Sequence, residues 1–352
     1  MLQGGSQKSE TAVDHIVRLV MKSDQQTLYE QAHEHLRAGK WQDAASAFTS
    51  LLERDEADEG SLVGLAQALD RLGDYDRMYK VAQQAVELNP DSALALACQA
   101  RALQKLERLS EATVANDQAL LLDTNLALAW FNRSGQQLIQ ERFAEALRSA
   151  ERAIEIDATD ARTWANKGIA LLNLNRLSEA LEASNQSLAY EPDYLVALQM
   201  KGEVLRRMVR LKDLIVTMRH ALEIAPDDIY SLNLMVYALR TSGEYDLLQQ
   251  VVEHLIGLAP DTLYALESQM IALRGLGKFE EAREPIDRIL ELELDNVHIW
   301  TIKADNLYRL ERYREAASAA THALQLDPEY APARRVHEKA VRLMYQRKGR
   351  KK

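Results

Sequence analysis

A single cysteine, Cys98, is present in 352 residues. No disulfide can form within the chain, and the composition suits a reducing compartment, so a cytoplasmic location is expected. No apolar run approaches the roughly 20 residues that a membrane-crossing helix needs. Met1 to Ser6 offers neither a basic start nor an apolar core, so no signal peptide is expected. Aromatics are few at 6%, within a hydrophobic content of 47%, as in an Ala/Leu-rich helical array. Prolines number only seven, yet five of them, Pro90, Pro192, Pro226, Pro260 and Pro328, are separated by multiples of 34 residues.

That spacing exposes nine copies of a 34-residue unit, running from Gln25 to Tyr330 without insertion or deletion. Position 17 reads Trp41, Tyr75, Leu109, Phe143, Leu177, Leu211, Tyr245, Phe279 and Tyr313. Position 20 is mostly alanine, as in Ala44, Ala112, Ala146 and Ala316, and position 8 is mostly small, as in Ala32, Ala66 and Gly168. A fixed period of this length marks a stacked helical array. Each unit reads as two helices around a polar turn near position 15, and the prolines at position 32 close the second helix. The four tryptophans sit at position 4 or 17, where packing is the expected role. Bulk at Leu214, Val236, Leu248 and Met270 is expected to splay the helix pairs of repeats six to eight. Pro285, inside the second helix of repeat eight, is expected to kink it.

With a large residue at 4, small at 8, aromatic at 17, Ala at 20 and Pro at 32, the chain resembles the tetratricopeptide-repeat (TPR) family. Trp164, Gly168, Leu171, Leu177, Ala180 and Pro192 show the pattern within repeat five. The resemblance implies an all-α fold, a right-handed α-solenoid superhelix of stacked antiparallel helix pairs, with first helices lining a concave groove. It implies peptide or protein binding without catalysis. Residues 1–24 read as an N-terminal amphipathic helix or arm, with Val13, Ile16, Val17, Val20 and Met21 on one stripe. Residues 25–330 form the repeats. Residues 331–352 read as a capping helix with a basic tail, and the whole array as one continuous body.

Charge is uneven. The net value is −10, but residues 331–352 carry nine Lys or Arg against one Glu, a charge of +8, leaving −18 on residues 1–330. An acidic body argues against a general nucleic-acid clamp. Residues 346–352 read first as a solvated end, with contact to nucleic acid or membrane as the alternative. No catalytic or metal constellation emerges, and neither cofactor nor metal is expected. Gly275-Leu-Gly-Lys278 lacks the first Gly and the final Ser/Thr of a phosphate loop. His220, His254 and His322 all occupy position 26, so their spacing belongs to the repeat.

Partner binding is therefore sought on the groove positions that the resemblance implies, about 2, 5, 6, 9, 12 and 13. One TPR subclass grips a chaperone's terminal carboxylate with Lys at 5 and Asn at 9. No repeat here has that pair, so this two-carboxylate clamp is not expected. Asn132 and Asn166, both at position 6, resemble an asparagine ladder that holds a peptide backbone. Arg206, Arg240 and Arg274 repeat at position 12, with Arg207 and Arg309 at position 13. Tyr230 and Tyr264 lie at position 2, Tyr237 at 9 and Tyr308 at 12. Arginine beside tyrosine is the composition of binding hot spots. The expected partner is a protein or peptide segment, acidic with apolar anchors. The competing expectation is internal pairing of these arginines with Glu203, Glu267 and Asp305. Two other classes stay open: a regulatory or substrate-presenting subunit of an enzyme on another chain, and an RNA- or membrane-associated adaptor.

Overall fold

The computed structural model describes residues 12–349, apart from 56 and 261. The side chains of the Val13–Met21 stripe and of the last basic residues lie outside the description. Nineteen helices make up the regular structure of the described residues. The first helices of the repeats are α1 (Ala12–Arg37), α3 (Glu59–Leu72), α5 (Ala93–Lys105), α7 (Ala127–Ile139), α9 (Ala161–Asn173), α11 (Leu195–Arg207), α13 (Ile229–Ser242), α15 (Leu263–Gly275) and α17 (Val297–Arg309). The second helices are α2 (Trp41–Leu52), α4 (Tyr75–Leu88), α6 (Leu109–Leu122), α8 (Phe143–Ile156), α10 (Leu177–Tyr190), α12 (Leu211–Ile224), α14 (Tyr245–Leu258), α16 (Arg283–Leu292) and α18 (Tyr313–Leu326). A final helix, α19 (Ala331–Gly349), follows, so helix continues to residue 349 of the stretch expected as a solvated end. No described helix is long and apolar enough to cross a membrane.

Two compact units form, Met1–Arg176 and Leu177–Lys352. In the first, α3, α5, α7 and α9 touch their neighbours directly; in the second, α11, α13 and α15 do the same. The first helices thus build the tightly stacked inner face of each unit.

One turn geometry recurs in every repeat. The N–H of position 16 donates to the carbonyl of position 11 at 2.8–3.1 Å, from Lys40 to His35 through Arg312 to Leu307. This bond closes the first helix only if position 15 is left-handed. Gly39, Gly73, Gly243 and Gly277 adopt that conformation freely, while Glu107, Glu141, Asn175, Val209 and Glu311 are held in it. At the next turn, Asp58, Ser92, Asp160, Asp228 and Asn296 cap the following first helix, each accepting a backbone N–H.

Position 32 has two solutions at the seven junctions that follow repeats two to eight. Where it is Pro90, Pro192, Pro226 or Pro260, the next repeat carries leucine at position 4: Leu96, Leu198, Leu232 and Leu266. Where it is Thr124, Ala158 or Leu294, the next repeat carries tryptophan. The indole N–H groups of Trp130, Trp164 and Trp300 donate to those three carbonyls at 2.9, 2.7 and 2.8 Å.

Alanine dominates the buried contacts: Ala44, Ala112, Ala146, Ala180, Ala282 and Ala316 at position 20 are all fully buried. Repeat six pairs Leu214 at position 20 with Gly202 at position 8, and repeat eight pairs Met270 at position 8 with Ala282 at position 20, yet the paired helices of repeats six, seven and eight meet less extensively than those of repeats three, four and nine, as expected. A Cβ on Gly202 would lie 2.5 Å from the Met218 side chain, so this glycine is required by close approach. Repeat seven keeps bulk at both places, with Val236 and Leu248 fully buried. Pro285 does not kink a helix, contrary to expectation. α16 starts at Arg283, so Pro285 falls in its first turn, where a missing N–H costs no helical bond. Residues 279–282 form turns instead.

Val209 is β-branched, 64% exposed and left-handed at φ 56°. Such a residue is strained by roughly 1–2 kcal/mol. Glycine would relieve that strain, and its greater freedom in the unfolded chain offsets part of the relief. Val209→Gly is expected to stabilise the second unit by about 0.5–1 kcal/mol, read as a higher urea midpoint. A midpoint that falls would show that the Val209 side chain contributes contacts outweighing its strain.

Candidate functional site

The inner face of the second unit carries the arginine and tyrosine row. Arg206 donates twice to Glu203, at 2.7 and 2.8 Å, and its guanidinium lies 5.5 Å from the centre of the Tyr237 ring. Arg207 joins the same carboxylate at 3.0 Å. Burial alone would raise the Glu203 pKa, but hydrogen bonds from Arg206 and Arg207 hold it below the usual glutamate value. Arg240 pairs with Glu267 at 3.8 Å. Arg274 donates to Asp305 at 2.7 Å and to the Ile302 carbonyl at 3.2 Å. Arg309 stands 3.8 Å from Asp305. The arginines are therefore paired within the chain, as the competing expectation held. Glu203, Glu267 and Asp305 thus each hold one or two of these five guanidiniums.

The tyrosines divide by exposure. Tyr230 is 47% exposed, and burial of its remainder, then the Glu203 charge, raise its pKa. Tyr264 is half-buried, its hydroxyl donating to the Asn233 carbonyl at 3.5 Å. Tyr237 lies beneath Arg206. Tyr308 stacks against Tyr313 with ring centres 5.6 Å apart.

The two asparagines differ in exposure, Asn132 being buried and Asn166 partly exposed. Asn132 is fully buried and donates to the Ala97 carbonyl at 2.8 Å. Asn166 donates to the Ser134 hydroxyl at 2.8 Å. Both side chains turn back onto the preceding repeat. The Asn132 amide grips this chain's own backbone rather than presenting itself to a peptide, because burial leaves it no route to a partner. Cys98 is likewise fully buried, and burial, then the Asp70 charge, push its thiol up to about 12. His220 and His254 pair with Asp193 and Asp227, each at 2.8 Å. No described group of three His, Cys, Asp or Glu side chains is placed to hold a metal ion.

Sequence reasoning missed the inner face of the first unit. Asp70, 9% exposed, accepts from Arg101 at 3.0 Å and from Arg162 at 2.5 Å. Arg162 also donates to Asp160 at 2.9 Å. Both guanidiniums lie against the Phe131 ring, 4.8 and 4.9 Å from its centre. Burial pushes the Asp70 pKa up, but Arg101 and Arg162 outweigh it and hold the carboxyl below its ordinary value. The available signal was positional. Asp70, Arg101, Phe131 and Arg162 occupy positions 12, 9, 5 and 2 of successive repeats, stepping back one helical turn per repeat.

The Asp70 pairing has a defined pH signature. Its folded pKa is depressed, so its contribution is present above the unfolded carboxylate value and is lost as pH falls through the folded one. Asp70→Asn should cost about 3–5 kcal/mol near neutrality by leaving two arginines unpaired. The gap from the parent should close below about pH 4. Thermal melts across that range test this; a gap independent of pH would show that the charge of Asp70 is not what stabilises the unit.

Comparison with known proteins accords with this architecture. Tetratricopeptide-repeat family models match residues 29–93 and 269–331, and a second such model matches residues 161–194. No curated protein matches. Among solved structures, a Pseudomonas aeruginosa protein, pilF, is 21% identical with a TM-score of 0.53, covering 62% of this chain and 98% of its own. TTC0263 of Thermus thermophilus, a thermophilic TPR protein, is 18% identical with a TM-score of 0.45, covering 51% of this chain and 99% of its own. YrrB, described as a TPR protein with an unusual peptide-binding site, is 22% identical with a TM-score of 0.37, covering 54% and 97%. The nine 34-residue units, the helix pairs they fold into and the family models that match three stretches of them show that this chain is built of tetratricopeptide repeats.

Proposed function

We propose that this chain is a non-catalytic, cytoplasmic scaffold for protein–protein interaction, and that the inner face of residues 195–309 is its groove. The observation that carries the reading is the row of arginines on this face beside an exposed tyrosine. Arg206 and Arg207 share one carboxylate, Arg274 and Arg309 share another, and Tyr230 presents half its ring to solvent. An acidic segment competes with Glu203, Glu267 and Asp305 for these guanidiniums, and an aromatic or aliphatic residue of that segment packs on Tyr230 and Tyr237. Exposed Arg–carboxylate pairs contribute only about 0.2–1 kcal/mol each. Apolar contact with the tyrosines therefore supplies much of the affinity, and the charges supply orientation and on-rate.

Arg274 is held by Asp305 and by the Ile302 carbonyl, so it is a poor residue to vary. The test reverses Arg206, Arg207 and Arg240 to Glu together. The control reverses Lys212, Arg219 and Arg314, which lie exposed on second helices. A partner captured by the parent should bind the first variant about tenfold or more weakly, a loss of roughly 1.4 kcal/mol. It should bind the control as the parent does, and parental binding should weaken with salt. Equal binding by the groove variant would place the site elsewhere.

A second reading rests on α19. Arg335, Lys339 and Arg342 lie exposed on it at i, i+4 and i+7, a basic stripe suited to an anionic surface. If the groove alone is responsible, reversing Arg335, Lys339 and Arg342 to Glu leaves partner capture intact and the parent shows no salt-sensitive binding to vesicles containing phosphatidylserine. Vesicle binding lost on that reversal would favour the second reading.

A further inference from the structure

The same diagonal of positions 12, 9, 5 and 2 is built twice, with opposite outcomes. In the second unit it holds Arg206, Tyr237, Glu267 and His298, and all four retain exposure. In the first it holds Asp70, Arg101, Phe131 and Arg162, and the first three are 9%, 9% and 4% exposed. The Arg162–Asp70 bond joins residues 92 apart in sequence, from the fifth repeat to the second. Phe131, the ring that a groove would offer to a partner, is covered by Arg101 and Arg162.

We propose that the inner face of residues 59–173 is a self-occupied binding face, in which Asp70 and Phe131 fill the Arg101–Arg162 cleft as an internal ligand and the Asp70–Arg162 bridge is the latch. The partner it fits when open is a segment that presents a carboxylate beside an aromatic ring. Two observations separate a latch from a simple strut. First, a buried ion pair recovers little net stability over apolar packing, because both charges leave water; its distinctive property is that another carboxylate can replace the one it holds. Second, the two guanidiniums that hold Asp70 also cover the Phe131 ring, so displacing Asp70 frees the carboxylate site and the ring together. Because Asp70 stays ionised well below neutrality, competition by an acidic group opens the latch, whereas mild acidification does not.

Cys98 reports on this state. It is the chain's only thiol, sits at position 6 of the third repeat, is fully buried, and senses the charges of both Asp70 and Arg162. The experiment labels Cys98 in the full-length chain with Ellman's reagent, for the parent, Asp70→Ala and Arg162→Met. Leu255→Ala serves as a control that weakens the core of the other unit. Both latch variants should label about tenfold faster than the parent through local opening, with Leu255→Ala close to the parent. Sodium acetate should slow labelling of Asp70→Ala by supplying the missing carboxylate, and should leave Arg162→Met unchanged. Labelling of Arg162→Met as slow as the parent's would overturn the latch. So would acceleration of Asp70→Ala that acetate fails to reverse, since that pattern belongs to a packing role.

Discussion

Two helices can approach to the distance set by alanine only where neither carries bulk, and that constraint governs the whole chain. Fully buried alanine recurs at position 20, with Ala85, Ala119, Ala153, Ala221 and Ala323 repeating the device at position 27. Helices packed so closely need their connections fixed, since a small rotation would drive larger neighbours into the contact. The position 16 to position 11 bond in all nine repeats does this at one end. Capped first helices and closed junctions do it at the other. Where alanine gives way to bulk, the paired helices meet less extensively, as in repeats six to eight. Five residues tolerate left-handed backbone because the turn is over-determined by packing on both sides.

The repeat length, the helix pairing and the closing turns are legible in the sequence because each is a local or periodic signal. Pro285 misleads because its place in the repeat invites comparison with an ideal second helix. The helix instead begins one turn late, a boundary that a single proline can shift. Asn132 misleads for a different reason. Position 6 faces inward, but how far inward depends on how closely α5 and α7 stack, and small residues such as Ala97 and Gly135 bring them together. The Asp70 network is hidden because its members lie 31, 30 and 31 residues apart. They become neighbours only when one helical turn is traded for each repeat.

Identical positions thus yield different surfaces according to charge order. Asp70 followed by Arg101 and Arg162 completes itself and withdraws from water. Arg206 followed by Tyr237 and Glu267 stays partly exposed at every member. The backbone offers the same diagonal in both units, so the side chains decide whether it becomes interior or surface. Burial in turn sets their chemistry: the Cys98 thiol is pushed up to about 12 on the closed face, whereas Tyr230 on the open face keeps half its surface in water.

The alternation of proline and tryptophan at the junctions bears on how the chain assembles. Proline narrows the choices of the unfolded chain, so its turn is half-made before any helix packs. A tryptophan junction has no such head start. The Trp130 indole reaches the Thr124 carbonyl only after α7 has formed and settled, and Trp164 waits likewise on α9. Junctions of the first kind act locally and independently. Those of the second kind make one repeat's turn conditional on its successor's helix, which is cooperativity written into the linker. Repeats three and four with α9, joined through Thr124 and Ala158, should therefore rise and melt as a block, while the proline-joined repeats of the second unit retain more individual character.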